Sequence, residues 1–520
     1  MTTPYDAVII GGGHNGLVAA CYLAKGGKRV LVLERYHTVG GAAITEEIHP
    51  GYRVSVASYS MSLMRPEIIE ELRLAEYGFA VYAKSPSYFM PFPDGRHLLL
   101  YAGDRERSKA AIAAFSARDA AAYDAWEDFW DRCCDIIEPT LLQPPISLGE
   151  LGQRFEDAGC ADDWRRLMLL SMRDLLDEFF ESEYVKATMA PQALISTMAG
   201  PATPGSPYVY LVHAIGRAIQ GRRGVWGYVK GGMGTVTQSL AAAARDLGVE
   251  IRTSSVVGEI LVEDGAARGV VLEDGTTIRA RAVLSNADPK RTFLGLTPAG
   301  ALPEAFRQRI ERNYRIGGTV FKLNLALREL PRYSAAPPDL PPEIISRGTV
   351  DIAPTLGYLE RAYDDFKRGE PSREPFIEIF SQSPTDASMA PPGGHVLSCF
   401  CQYFPYAPNG RNWDDGLREE IAERILNKLA EYAPNMRGAV VAAQMLSPVD
   451  LERRFGLTGG NIFHGEMTPD QSFNLRPLAG HSDYRTPLPG LYLCGSGAHP
   501  GGGVTGIPGH NCAKVVLGDW

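Results

Sequence analysis

At 520 residues, with 45% hydrophobic and 22% charged side chains, the chain has globular composition and the length for two or three domains. A net charge of −9 without any run rich in lysine or arginine argues against nucleic acid as a partner. No charge-free run reaches the roughly 18 residues of a membrane span, so a cytoplasmic protein is expected, with peripheral membrane contact left open.

The stretch ahead of Tyr5 lacks the basic and apolar regions of a secretory leader, and none is expected. The eight cysteines are scattered, with no C-x-x-C pair and no zinc spacing. Reduced thiols and no metal are the expectation. Cys133-Cys134 reads as two helix residues, and Cys399-x-Cys401 as two residues on one side of a strand.

Taken in order, residues 6–10 read as a buried strand. The turn Gly11-Gly12-Gly13-His14-Asn15-Gly16 follows, then a helix pattern over residues 17–25 and a second strand over 29–33 that ends at Glu34. Each part has a physical role in holding a dinucleotide. Gly11 permits the tight turn, Gly13 lets a pyrophosphate approach the backbone, and Gly16 lets the helix pack close to the strand. The helix start, with His14 and Asn15, offers free N–H groups and partial positive charge to phosphate. Glu34 lies 23 residues past Gly11, where a carboxylate accepts hydrogen bonds from ribose hydroxyls. An acid there favours an unphosphorylated adenosine ribose and does not separate FAD from NAD.

Glu34-Arg35 is followed after four residues by Gly40-Gly41-Ala42. This pattern resembles the second fingerprint of the glutathione-reductase-like FAD superfamily, in which paired glycines let backbone pass close to the extended dinucleotide. Residues 75–214 read as mostly helical. Ser116 with Asp119 caps one helix, and residues 164–180 carry helical spacing as a bundle helix on the domain surface. Nucleotide-domain character returns over 215–295, with a helix after Gly231-Gly232-Met233-Gly234 and strands at 249–253, 256–262, 267–272 and 276–279. Asp264-Gly265 and Asp274-Gly275 read as hairpin turns. Residues 296–455 mix strands at 318–326, 376–380 and 396–403 with an amphipathic helix at 414–433, in which Leu417, Ile421, Ile425 and Leu429 form a stripe. The loop at 331–342 is rich in proline.

The C-terminus reads as a short strand ending at Gly495, a turn beginning with Ser496, and a final helix starting near Ile507 or Pro508. A helix start there, with Thr505, Gly506 and Ile507, favours negative charge on a flavin ring as it is reduced. Gly501-x-Gly503-x-x-Gly506 matches the dinucleotide pattern formally, but too little chain follows for a second ribose-binding strand. These features favour FAD over NAD.

The glycine turn, Gly40-Gly41-Ala42-Ala43, Trp226-Gly227-Tyr228-Val229-Lys230-Gly231-Gly232-Met233-Gly234, Ser285-Asn286-Ala287-Asp288-Pro289, Gly459-Gly460-Asn461-Ile462-Phe463-His464-Gly465-Glu466 and His499-Pro500-Gly501-Gly502-Gly503-Val504 resemble phytoene-dehydrogenase-like FAD proteins. Within that family they resemble the branch named for a pyridine nucleotide-disulphide oxidoreductase domain, although no vicinal active-site disulphide is present. The resemblance spans nearly the whole chain. It implies an α/β fold with a glutathione-reductase-like Rossmann FAD domain, discontinuous over residues 1–74, 215–295 and 456–520. A helical insert at 75–214 and a mixed-sheet substrate domain at 296–455, with a sheet over the flavin, complete the expectation. By position in that family, Val257 contacts adenine through its backbone. Carotenoid desaturases of the family carry an arginine directly after the glycine pair; Ala42 stands there, which argues against a carotenoid.

The expected function is an FAD-dependent dehydrogenase, desaturase or saturase acting on an apolar or partly apolar small molecule, with hydride moving to or from flavin N5 and oxygen or a quinone among the acceptors. Three alternatives stay open: an amine-oxidase-like enzyme using oxygen, a flavin-bound regulatory or interaction protein, and a redox-neutral isomerase. His499, His464 and Glu466 are the acid/base candidates, and Arg53 a candidate for the cavity wall.

Overall fold

The computed structural model describes residues 5–520, arranged around two seven-stranded sheets. The first sheet grows from β1 (Tyr5–Ile10), α1 (His14–Lys25) and β2 (Val30–Leu33). β1 pairs in parallel with β2 on one side and with the strand Thr277–Ser285 on the other. Buried on both faces, it reads as a continuous apolar run, and Ala7, Val8 and Ile9 are fully enclosed. Glu250–Arg252 extends the sheet beyond β2, and Leu491–Leu493 lies parallel to Thr277–Ser285. Segments far apart in sequence thus lie side by side. The helices Gly234–Asp246 and Ile507–Gly518 both pack on α1.

The strand expected at 276–279 runs on to Ser285. Its first half closes an antiparallel meander with Val257–Glu263 and Ala266–Leu272, and its second half is the parallel neighbour of β1. The exposed Arg279 and Arg281 alternate with buried Ala280 and Ala282, a pattern too weak in apolar mass to read as a central strand. Asp264 and Gly265 both take positive φ, 49° and 72°, as a two-residue hairpin turn requires.

The second sheet has the order Val440–Leu446, Val320–Leu327, His395–Gln402, Phe376–Phe380, Thr349–Ile352, Tyr88–Pro91, His97–Leu100. Two of its strands therefore come from the 75–214 stretch that reads as mostly helical. One face carries Phe321, Leu323, Cys399, Cys401, Ile377 and Ile379, and packs against Leu417, Ile421, Ile425 and Leu429 of the helix Asp415–Tyr432. The opposite face carries Lys322, Asn324, Ser398, Glu378 and Asp351, and meets the segment 54–61.

The helix Ala117–Ile137 starts at Ser116, whose Oγ accepts from Asp119 N, and buries Trp126 and Trp130. Residues 164–180 do not form one helix. Ala161–Met168 stops, and Met172–Phe179 begins at Ser171, where Ser171 and Asp174 cap each other's backbone N–H groups. That capping box competes with continuation of the periodic pattern and wins. No helix among the described residues is long and apolar enough to cross a membrane.

Candidate active site

The carboxyl end of β1, the start of α1 and the segments that follow β2 enclose a cavity of about 450 Å³. Open α/β sheets place ligands there, outside the carboxyl ends of the strands. The wall includes Gly11, Gly13, His14 and Asn15, then Glu34 and Arg35, then Gly40, Gly41 and Ala42. Val257, with Ser255 and Glu273, forms part of the wall, as do Tyr59, Met61 and Trp226. From the C-terminal third come His464, Ser496, Gly503 and Val504.

The glycines are there for close approach. Gly11 sits at φ +98° and Gly41 at +56°, and a Cβ on Gly41 would lie 3.6 Å from the Gly13 Cα. A Cβ on Gly16 would lie 2.2 Å from the Gly11 carbonyl, so Gly16 serves the packing of α1 on the turn from behind the wall. Gly40 N donates to Gly12 O at 2.9 Å, which ties the two glycine segments together. Glu34, only 5% exposed, accepts from Gly12 N and Tyr36 N, each at 2.8 Å. Those two bonds fix the carboxylate at the mouth of the turn and leave lone pairs for further donors. Burial pushes its pKa up, against the pull of the two backbone donors. Arg35 donates to Arg453 O, which draws the 453–457 segment over the same cavity. A bare-backbone cradle at a helix start, with a fixed carboxylate beyond it, fits the pyrophosphate and ribose of FAD.

The two ends of the chain meet at this cradle. Asn15 Nδ2 donates to Ser496 Oγ at 3.1 Å, and His14 Nε2 lies 3.1 Å from Gly503 O. The C-terminal helix passes so close to α1 that a Cβ on Gly509 would lie 2.1 Å from Asn15 O. Thr505 Oγ1 accepts from Ile507 N, the first residue of that helix, at 3.1 Å. Gly495, Thr505, Gly506 and Ile507 stand just behind the wall, whereas Ser496, Gly503 and Val504 are on it.

The acid/base candidates separate. His464 is on the wall, with φ +58°. Burial, then Arg476 and Arg291, push its pKa down to about 4. His14 is likewise held at about 4, by burial and then by His464. Both imidazoles are neutral at physiological pH. Glu466 is off the wall, with one oxygen taking Met198 N and the other Asn461 Nδ2, each at 3.0 Å; burial pushes its pKa up to about 7. His499 is 1% exposed and packs its ring 5.9 Å from Phe473, and burial pushes its pKa down to about 3. The ring turns into the core rather than toward the cavity. Arg53 is exposed, on the outward side of the strand Tyr52–Ser55.

Several wall residues lie outside the sequence-level expectations. Asn286, just past the end of Thr277–Ser285, donates to Gly11 O at 3.3 Å and stands against Gly13 and Gly16. Tyr59 reaches from the wall to the polar face of the second sheet, donating to Glu378 Oε2 at 2.8 Å while the Lys322 ammonium lies 4.2 Å from its ring centroid. Gln192 Nε2 donates to the other Glu378 oxygen at 2.9 Å. Asp351 stands directly across the ladder from Glu378, and burial raises both carboxyl pKa values. Burial also pushes Lys322 and Lys84 down to about 7. The signal for this face was a polar residue at alternate positions inside apolar strands.

Residues 16–509 match the family model described as flavin containing amine oxidoreductase. The chain is 41% identical to the rat (Rattus norvegicus) pyridine nucleotide-disulfide oxidoreductase domain-containing protein 2, over 99% of this chain and 94% of that one. It is 26% identical to a phytoene desaturase (lycopene-forming) of Pantoea ananas, over 98% of each. The fold matches cyclohexylamine oxidase from Brevibacterium oxydans with TM-score 0.57 at 15% identity, covering 99% of both chains. The chain thus belongs to the flavin containing amine oxidoreductase family and is an FAD-dependent oxidoreductase.

Proposed function

We propose that the protein transfers hydride between an apolar or partly apolar small molecule and FAD held in the large cavity. The observation that carries this reading is the closed cradle itself, in which the β1–α1 turn, Glu34 and the C-terminal turn line one cavity. When bound, FAD supplies the hydride acceptor or donor at N5.

The chain's own residues do the rest. Gly11, Gly13, His14, Asn15, Gly40, Gly41 and Ala42 would hold the diphosphate, Glu34 with Arg35 the ribose side, and Val257 the adenine side. Gly16 and Gly495 support these turns from behind. Ser496, Gly503 and Val504, backed by Thr505, Gly506 and Ile507, would hold the flavin end. His464 is the wall group assigned to accept a proton, because its imidazole is unprotonated and its Nδ1 has no hydrogen-bond partner among the described residues, whereas His14 and His213 each have a ring nitrogen engaged by a backbone carbonyl. His499 and Glu466 support the turn without touching the reacting atoms.

An anaerobic screen of small molecules against the flavin-loaded protein tests the reading. A partly apolar compound is expected to bleach the flavin spectrum, with one equivalent of acceptor, oxygen or a quinone, consumed on reoxidation. Turnover confined to amines with release of peroxide would replace it with the amine-oxidase reading. Product formed without acceptor consumption would replace it with the isomerase reading. A flavin that no compound or light-driven reductant reduces would leave a regulatory role.

A further inference from the structure

A second cavity of about 150 Å³ adjoins the first, and His213 and Trp226 line both. It lies between the helix Ala117–Ile137 and the strands Tyr88–Pro91 and His97–Leu100 of the second sheet. Aromatic side chains dominate its walls: Tyr88, Tyr123, Trp130 and Tyr210, the last two stacked at 4.1 Å. Such a chamber suits a small ring.

Three of its polar groups are donors short of acceptors. Lys84 is 7% exposed, and its ammonium finds a single hydrogen-bond acceptor among the described residues, Thr349 Oγ1 at 3.1 Å. Its other close neighbours are ring faces, Phe380 at 4.2 Å and Tyr228 at 5.0 Å. Glu378 and Asp351 act on it through space, and neither makes an ion pair with it among the described residues. Trp130 Nε1 and Arg223 Nε are buried without a partner among the described residues. A buried donor left unpaired costs roughly 1–3 kcal/mol, so these two N–H groups, beside an ammonium with a single acceptor, suit a ligand that accepts hydrogen bonds.

Of the acids on the wall, Asp131 is paired within the protein, by Arg105 at 2.8 Å and by Arg223 at 3.4 Å. Burial pushes the Glu127 carboxyl up from the usual carboxylate range.

We propose that this chamber is the substrate's anchoring site, and that it takes a small aromatic or alicyclic carboxylate, with the carboxylate on Lys84 and the ring among Tyr88, Trp130 and Tyr210. The assignment rests on the flavin-cavity reading for its purpose: the rest of the molecule extends past His213 and Trp226 into the larger cavity. The anchor distinguishes this site from one built for a pure hydrocarbon, which leaves Lys84 unmatched, and from one built for an amine, which sets like charges together.

Isothermal titration of the flavin-loaded protein tests it with benzoate, cyclohexanecarboxylate, benzyl alcohol and benzylamine as probes. The two carboxylates are expected to bind at one per chain, at least tenfold tighter than the alcohol, with benzylamine weakest. Lys84→Gln is expected to weaken benzoate at least tenfold while flavin content and melting temperature hold. Trp130→Phe, which removes a different donor, is expected to weaken it as well. Benzylamine binding more tightly than benzoate, or equal affinity for benzoate and benzyl alcohol in the unmodified protein, overturns the assignment whatever the variants do. Flavin content is read separately by absorbance. Yellow protein indifferent to carboxylates removes the anchor alone, whereas colourless protein that still binds benzoate removes the flavin reading and keeps the anchor.

Discussion

At the scale of single residues, Glu34 and the histidines make the sharpest distinctions. Glu34 holds its carboxylate with two backbone donors and presents its remaining lone pairs to the cavity. Glu34→Ala is expected to weaken FAD retention by roughly 10- to 150-fold, the equivalent of one charged hydrogen bond worth about 1.5–3 kcal/mol. Equilibrium dialysis measures it, and unchanged retention places the ribose elsewhere. His464 and His499 divide along their positions. His464→Ala is expected to slow substrate-driven flavin reduction by about 100-fold, the lower range for a lost proton acceptor. His499→Ala leaves that rate unchanged and costs stability through lost packing, because its ring is buried off the wall. Stopped-flow reduction of the two variants side by side decides between them. Both histidines were visible in the sequence as members of glycine-rich turns. Which way each ring points was not, because a turn's side chains divide between core and cavity according to backbone angles that residue types do not reveal.

At the scale of elements, the contact between α1 and the C-terminal helix locks the cradle. A Cβ at position 509 meets Asn15 O at 2.1 Å and Ala19 N at 3.1 Å, backbone atoms that cannot rotate away. Gly509→Ala is expected to cost about 1–3 kcal/mol through overpacking and to loosen FAD with it. Denaturant unfolding and flavin release should therefore shift together. The polar face of the second sheet carries its own pH signature. Lys322 is 1% exposed and titrates at about 7 in the folded protein against about 10.4 unfolded. Between those values the unfolded chain binds more protons, so this group makes stability rise with pH, by up to about 1.4 kcal/mol per pH unit. Lys322→Met is expected to remove that rise, as urea unfolding at pH 7, 8 and 9 shows. An unchanged slope means the ammonium is not held in a dry site. The first βαβ unit was legible because each glycine answers a steric demand that only glycine meets. The polar face was not. Lys322, Asn324, Ser398, Glu378 and Asp351 sit on different strands, and only the pairing register brings them to one side.

At the scale of the whole molecule, the order of elements in sequence is not their order in space. β1 lies beside Thr277–Ser285, which lies beside Leu491–Leu493, and the turns that follow all three build one cavity. The resemblance of separated motifs to one family made that assembly legible before any contact was known. The two strands from residues 88–100 that complete the second sheet carried no such signal, being short and set in a helical stretch. The central claim is that FAD is clasped between the first and last turns of the chain. Its most direct measurement is the visible spectrum of the purified protein, with the released flavin quantified per chain and identified. One FAD per chain, lost in parallel with the Asn15–Ser496 contact when Asn15 is replaced by Leu, is the expected result. Colourless protein that added FAD fails to reconstitute contradicts the account.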